Sequence, residues 1–198
     1  MTDSNHRHSE YPIDPLFLNR WAPRAFDGQP MPKADFLTIL DAAHWAPSSG
    51  NGQPWRFVYA LRGTDGFDDA VGLLMDGNQV WAGNASALVF VISHAKRKSR
   101  DGTLVDNATH AFDSGAAWMA AALQAKLMGY ETHGMAGIHK DRIAEHYGIP
   151  ADYAVNMAFV VGKYGHKETL PKPLREREVQ STRKALAEVA FEGSFTAD

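Results

Sequence analysis

The sequence predicts one α/β or α+β sandwich built around a single, mostly buried sheet. Three observations carry this. Ala87 to Ser93 (ALVFVIS) and Ala154 to Val161 (AVNMAFVV) are nearly continuous apolar runs, as expected of strands covered on both faces. Ala108 to Met128 is the longest helical pattern, with Phe112, Ala116, Met119, Leu123 and Leu127 on one stripe and many alanines beside it. Strand-like and helix-like stretches interleave along the chain without a repeat, which gives layers around one core.

The remaining elements follow in order. Met1 to Glu10 is polar and reads as a flexible tail, so residues 11–198 form the single domain. Pro15 to Asn19 suits a short helix leading into Arg20-Trp21-Ala22-Pro23-Arg24-Ala25-Phe26. Asp35 to Trp45 has Phe36, Ile39, Leu40 and Ala43 at helical spacing, and Pro47 blocks continuation. Arg56 to Leu61 is strand-like; helices are expected around Gly66 to Leu74 and over Asn78 to Ala85. Gly129 ends the long helix. Asp141 to Tyr147 is a short helix ending at Gly148. From Gly162 to Lys184 the chain turns polar and charged, and apolar character returns at Leu186 to Phe195. An excursion of that length is too long for an ordinary connection. It is either a loose tail or a segment ordered on a partner subunit.

Composition narrows the function. The 198 residues carry a formal net charge of −3, with both signs interspersed. No basic stripe marks a nucleic-acid surface. There is no cysteine, which excludes disulfides, thiolate nucleophiles and cysteine metal sites. No apolar run reaches membrane-spanning length, and a cytoplasmic protein is the simplest reading.

Familiar catalytic patterns are absent: no G-x-S-x-G, no G-x-x-x-x-G-K-[ST], no H-E-x-x-H. Gly50-Asn51-Gly52 precedes a strand, whereas a dinucleotide fingerprint follows one, which excludes a Rossmann site. His6 and His8 read as a surface pair. His133 and His139 sit close together in an expected loop, but their spacing matches no common metal motif. What remains suits a large, flat, anionic ligand. Arg20 and Arg24 lie four apart and could face one phosphate, since guanidinium forks match its oxygens. Ser48, Ser49, Asn51 and Gln53 supply short donors and acceptors, and Gly50 lets backbone approach closely. Asn78 is a further amide, and Arg175, Arg177, Arg183 and Lys184 add cations. Taken singly, each is equally well a solvated arginine or a polar turn.

Taken together, they resemble the FMN-dependent nitroreductase family. The resemblance rests on RWAPRAF (Arg20 to Phe26), AAHWAPSSGNGQPWRFV (Ala42 to Val58), GNQVWAGNASALVFV (Gly77 to Val91) and HAFDSGAAWMAAALQAKLMGY (His110 to Tyr130). HGMAGIH (His133 to His139) and LPKPLREREVQSTRKALAEV (Leu170 to Val189) complete it, in the family's order over most of the chain.

The resemblance implies an α+β three-layer sandwich, with a central, mostly antiparallel sheet flanked by helices, in an intertwined homodimer. Two FMN sites would lie at the subunit interface, with residues 163–198 wrapping the partner and the alanine-rich face of the long helix at the contact. It implies that Arg20 and Arg24, with Trp21 and Ala22 between them, hold the FMN phosphate and ribityl end. Ala22 stands where the family often has serine, so that hydroxyl contact is missing. Pro47, Ser48, Ser49, Asn51 and Gln53 would contact the flavin ring of the other subunit. Asn78 would bond the pyrimidine side, and a G-x-x-G turn at Met135, Ala136 and Gly137 would send a backbone amide to flavin N5. Arg183, with Lys184 next, would close on the phosphate. The activity implied is a ping-pong transfer from NADH or NADPH to a nitroaromatic, quinone or similar acceptor, with the flavin carrying the chemistry and no catalytic side chain required. His110 and Phe112 are either at the substrate slot or in the core. A related flavoenzyme reaction (enone reduction, azoline dehydrogenation, dehalogenation) and a non-catalytic flavin binder remain as rivals.

Overall fold

The computed structural model describes residues 6–196. Its elements run α1 (Pro15–Asn19), α2 (Lys33–His44), β1 (Trp55–Leu61), α3 (Phe67–Gly72), α4 (Asp76–Ala82), β2 (Ala87–His94), β3 (Lys96–Lys98), β4 (Leu104–Asp106), α5 (His110–Leu127), β5 (Glu131–Met135), α6 (Lys140–His146), β6 (Tyr153–Gly162) and α7 (Lys172–Arg175). The fold is α+β. A four-stranded sheet in the order β1-β2-β6-β5 is antiparallel throughout, and β3 and β4 form a separate hairpin.

Alternation along β2 and β6 builds three layers. Leu88, Phe90 and Ile92 of β2, with Ala158 and Val160 of β6, face a core completed by Phe67 of α3, Leu74 of the α3–α4 connection, Trp81 of α4 and Ile143 of α6. Ala87, Val89 and Val91, with Phe159 and Val161, face the opposite core, closed by Phe36 and Ile39 of α2 and Ala121 and Ala125 of α5. Both runs read as doubly covered strands are so.

Several expectations shift. The stretch holding Gly134 and Met135, expected as part of a turn, is strand β5, paired with β6 from Glu131↔Gly162 to Met135↔Ala158. Gly134 is glycine because a Cβ there would meet the Trp118 ring at 3.1 Å and Met157 Cε at 2.7 Å; it marks close packing, not a turn. Only Ala136 and Gly137 lie beyond the strand, and His133 and His139 do not share a loop.

On α5 the faces are reversed. The alanines at 117, 121, 122 and 125 are buried within the subunit, while Phe112 is 81% and Leu127 67% exposed. The small side chains let α5 lie close against the sheet and leave the large apolar stripe outward.

The C-terminal extension is partly anchored to its own subunit. Tyr164 bridges Phe26, Gly165 N–H donates to the Ala25 carbonyl at 2.7 Å, and Leu170 and Glu178 are buried. Residues 181–196 are exposed. In the expected tail, Arg7 Nη1 donates to the carbonyls of Arg20 (2.9 Å) and Leu18 (3.2 Å); residues 1–5 lie outside the described residues.

Candidate functional site

The predicted site residues fall into three groups. The first is a knot of guanidinium groups. Arg20 ends α1, and burial, then the charge of Arg183, hold it below the ordinary guanidinium value, with Glu131 opposing. Arg7 is lowered by burial, Arg183 and Arg20. Arg7 and Arg183 both donate to Ser181: Arg7 Nε to its carbonyl at 2.8 Å, Arg183 Nη1 to its Oγ at 2.9 Å. Three like charges held within Coulombic reach favour a multiply charged anion. Glu131, itself raised by burial, is already paired with Lys126. A cleft of about 900 Å³ adjoins, lined in part by Arg7, Trp21, Lys126, Glu131 and Tyr164; Trp21 packs on Tyr164 with ring centroids 5.6 Å apart. Ala22 is exposed. Lys184 follows Arg183 in the exposed segment.

Arg24 does not join that knot. Residues 20–24 form no helix, so no helical turn brings the two side chains onto one face. Arg24 faces Glu178 at 4.0 Å and lies over the Trp81 ring at 6.0 Å. Glu178, buried, accepts the N–H groups of Arg24 (2.7 Å) and Ala25 (2.9 Å), and among the described residues its Oε2 has no hydrogen-bond partner. From β5, His133 packs at a tilt against Trp81, ring centroids 4.5 Å apart, and its Nδ1 lies 2.9 Å from the Pro23 carbonyl. Burial pushes His133 down to about 4, so it is neutral near pH 7 and Nδ1–H donates to Pro23.

The second group is Asn78 with Ala136 and Gly137. Asn78 Nδ2 donates to the Gly137 carbonyl at 2.9 Å, and a Cβ on Gly137 would sit 2.7 Å from that nitrogen. Met75 N–H takes the same carbonyl at 3.0 Å. Among the described residues Asn78 Oδ1 has no partner and Ala136 is exposed, whereas Met135 is buried in the core.

The third is the exposed lip from Pro47 to Gln53. Gly50, Asn51 and Gln53 have φ of 58°, 54° and 43°, a left-handed backbone that non-glycine residues adopt only when held. Ser48 Oγ accepts Gln53 N–H at 3.0 Å, and buried Asp113 of α5 accepts Ser49 N–H at 3.2 Å. His110 opens the same helix, with Phe112 exposed beside it. Among the described residues, no hydrogen bond or ion pair joins this lip to Arg20, Arg24 or Asn78.

Arg7, Glu178, Asp113 and Trp81 were not legible as site residues. Each acts through a contact between segments distant in sequence, and no local spacing signals such a contact.

The α+β sandwich thus carries a cluster of three arginines beside the end of α1 and, apart from it, a polar lip with left-handed backbone. The Nitroreductase family model matches residues 18–71 and 64–163, and the chain belongs to the nitroreductase family. A solved structure described as an oxidoreductase containing FMN is 57% identical with a TM-score of 0.96, covering 100% of both chains. Two Bacillus subtilis (strain 168) proteins that carry NAD(P)H nitroreductase names are also similar. YdgI is 26% identical over 66% of this chain and 78% of its own. YfhC is 34% identical over 58 residues, and the chain spans only 29% of that relative's length.

Proposed function

We propose that this protein is an FMN-dependent oxidoreductase that uses NADH or NADPH to reduce nitroaromatic, quinone or similar small acceptors by a ping-pong cycle. The observation that carries the reading is the convergence of Arg7, Arg20 and Arg183 within Coulombic reach of one another. A dianionic phosphate ester fits that knot, and the 57% identical structure is of a protein containing FMN. When bound, FMN supplies two-electron redox chemistry between the nucleotide and the acceptor.

The chain's own residues position and polarise. Arg20 and Arg183 neutralise the phosphate, and Glu178 and His133 hold the backbone between Arg20 and Phe26 in place. Arg24, beside Trp81, offers a cation to the ring's pyrimidine oxygen or to the ribityl chain. Asn78 Oδ1 accepts from a ring N–H while its Nδ2 braces Gly137. Backbone N–H groups at Ala136 and Gly137 donate toward N5. Pro47, Ser48, Ser49, Asn51 and Gln53 reach the site of a second copy, which accounts for their separation from Arg20 within one chain. The outward apolar stripe of α5 and the exposed Leu186, Val189, Phe191 and Phe195 supply a surface for that homodimer.

The absorption spectrum of the purified protein tests the cofactor, and steady-state NAD(P)H oxidation with a nitroarene or quinone tests the activity. A colourless protein that takes up no added FMN sinks the reading; bound flavin without turnover makes it a flavin binder. Light scattering that returns a monomer still loaded with FMN removes the shared site.

A further inference from the structure

Ser93 lies near the end of β2 and is 0% exposed. A hydroxyl sealed from water must place its one proton on an acceptor. Asn156 Nδ2, from β6, donates to Ser93 Oγ at 2.8 Å; that bond uses a lone pair and leaves the proton unspent. Among the described residues, the other partner of Ser93 Oγ is His110 Nδ1, at 2.6 Å. The proton therefore goes to Nδ1, and a neutral imidazole that accepts at Nδ1 carries its own proton on Nε2.

The imidazole is also fixed in place. His110 is the first residue of α5, and its carbonyl accepts the Ser114 hydroxyl at 2.8 Å. One turn along, Asp113 accepts the Thr109 hydroxyl at 3.0 Å and the Ser49 N–H at 3.2 Å. The turn that carries His110 is thus the turn that holds the lip. His110 Nε2 has no partner among the described residues.

We propose that Asn156, Ser93 and His110 form a hydrogen-bond relay that fixes His110 as an Nε2–H donor beside the lip, where it binds the oxygen of an oxygen-bearing electron acceptor. The acceptor role rests on the oxidoreductase reading above; the relay does not. A nitro, quinone or carbonyl oxygen gains negative charge as electrons arrive, so a preorganised neutral donor stabilises it increasingly along the reaction. The carboxamide oxygen of a nicotinamide donor gains no such charge, so the donor half of the cycle is insensitive. Ser93 and Asn156 are positioning residues.

Two measurements decide it. Long-range ¹H–¹⁵N correlation of the imidazoles in ¹⁵N-labelled protein, assigned with His110→Gln, should show His110 protonated at Nε2; a proton on Nδ1 overturns the relay. In rapid-mixing kinetics, Ser93→Ala should slow reoxidation by a quinone about tenfold and leave FMN occupancy and reduction by NAD(P)H within twofold. Asn156→Leu, at a half-buried position, gives the same split if Ser93→Ala does not fold. Unchanged reoxidation, or an equal fall in both half-reactions, overturns the acceptor role. A protein that binds no FMN overturns that role through the function reading, while the tautomer still decides the relay.

Discussion

Glu178 accepts the backbone N–H of Arg24 at 2.7 Å across 154 residues of sequence. The same oxygen takes Ala25 N–H at 2.9 Å, and the side chain is 0% exposed. One carboxylate thus fastens the C-terminal extension to the segment that carries Arg20 and Arg24. Removing it strands two N–H donors and leaves Arg24 without its counter-charge. Glu178→Ala should lower the free energy of unfolding by about 2–4 kcal/mol, read from urea midpoints. Glu178→Gln keeps an acceptor oxygen for both N–H groups and should lose less than half as much. Equal losses would mean that the charge, not the hydrogen bonding, fastens the segment.

His133 makes stability depend on acid. Burial holds its folded value at about 4, against an ordinary value of 6.5. Below pH 6.5 the unfolded chain takes up the proton first, so stability is complete above that pH and drains away as pH falls toward 4. The loss attributable to this residue is about 3 kcal/mol at the acid end. His133→Phe keeps an aromatic face for Trp81 but gives up the bond to Pro23. It should be less stable than the parent at pH 7 and should have a shallower decline between pH 6.5 and 4. Parallel curves for the two proteins would refute the assignment.

The fold was legible where chemistry is local, and the site only in part. Val89 and Phe90 sit in a short, nearly continuous apolar run rich in β-branched residues, the pattern of a strand with both faces covered. The β3–β4 hairpin was not legible, because Lys96, Arg97 and Lys98 lack any alternation of apolar and polar residues. β5 was missed because Gly134 reads as a turn residue, while its true constraint is the Trp118 ring, which comes from α5. Arg20 stood out in the sequence and Arg7 did not: Arg20 sits in a motif, whereas Arg7 stands in a polar segment and gains its place from carbonyls at Leu18 and Arg20. The expected pairing of Arg20 with Arg24 assumed helical spacing in a segment that is not helical.

Two glycines separate a soft constraint from a hard one. A Cβ on Gly137 meets the Asn78 amide, which can swing away at the cost of one hydrogen bond, about 1 kcal/mol. A Cβ on Gly165 meets three contiguous backbone atoms, Asp27 N and Phe26 C at 2.8 Å and Asp27 Cα at 2.9 Å. Backbone cannot swing, so Gly165→Ala must lift the extension from Phe26 or distort both, costing upward of about 2 kcal/mol. Thermal unfolding should rank Gly165→Ala well below Gly137→Ala. Flavin titration should show Gly137→Ala binding FMN more weakly than its stability alone accounts for, since Asn78 loses its place. The reverse order in either assay contradicts this account.

The arginine knot yields the sharpest distinction between a ligand site and a structural one. If the knot takes a phosphate, Arg20→Ala loses a charge-assisted contact of about 1.5–3 kcal/mol, which weakens FMN binding roughly 10- to 150-fold. Relief of repulsion from Arg7 and Arg183 should meanwhile leave the apoprotein no less stable. Arg7→Ala removes donors to the carbonyls of Leu18 and Arg20, so it should cost apoprotein stability as well as affinity. The two variants therefore part company: Arg20→Ala trades affinity alone, Arg7→Ala trades both. Fluorescence titration of FMN, repeated at 50 and 200 mM salt, reads the charge directly, because losing a phosphate contact flattens the salt dependence. An Arg20→Ala protein that purifies fully yellow, with an unchanged salt slope, would place the phosphate elsewhere.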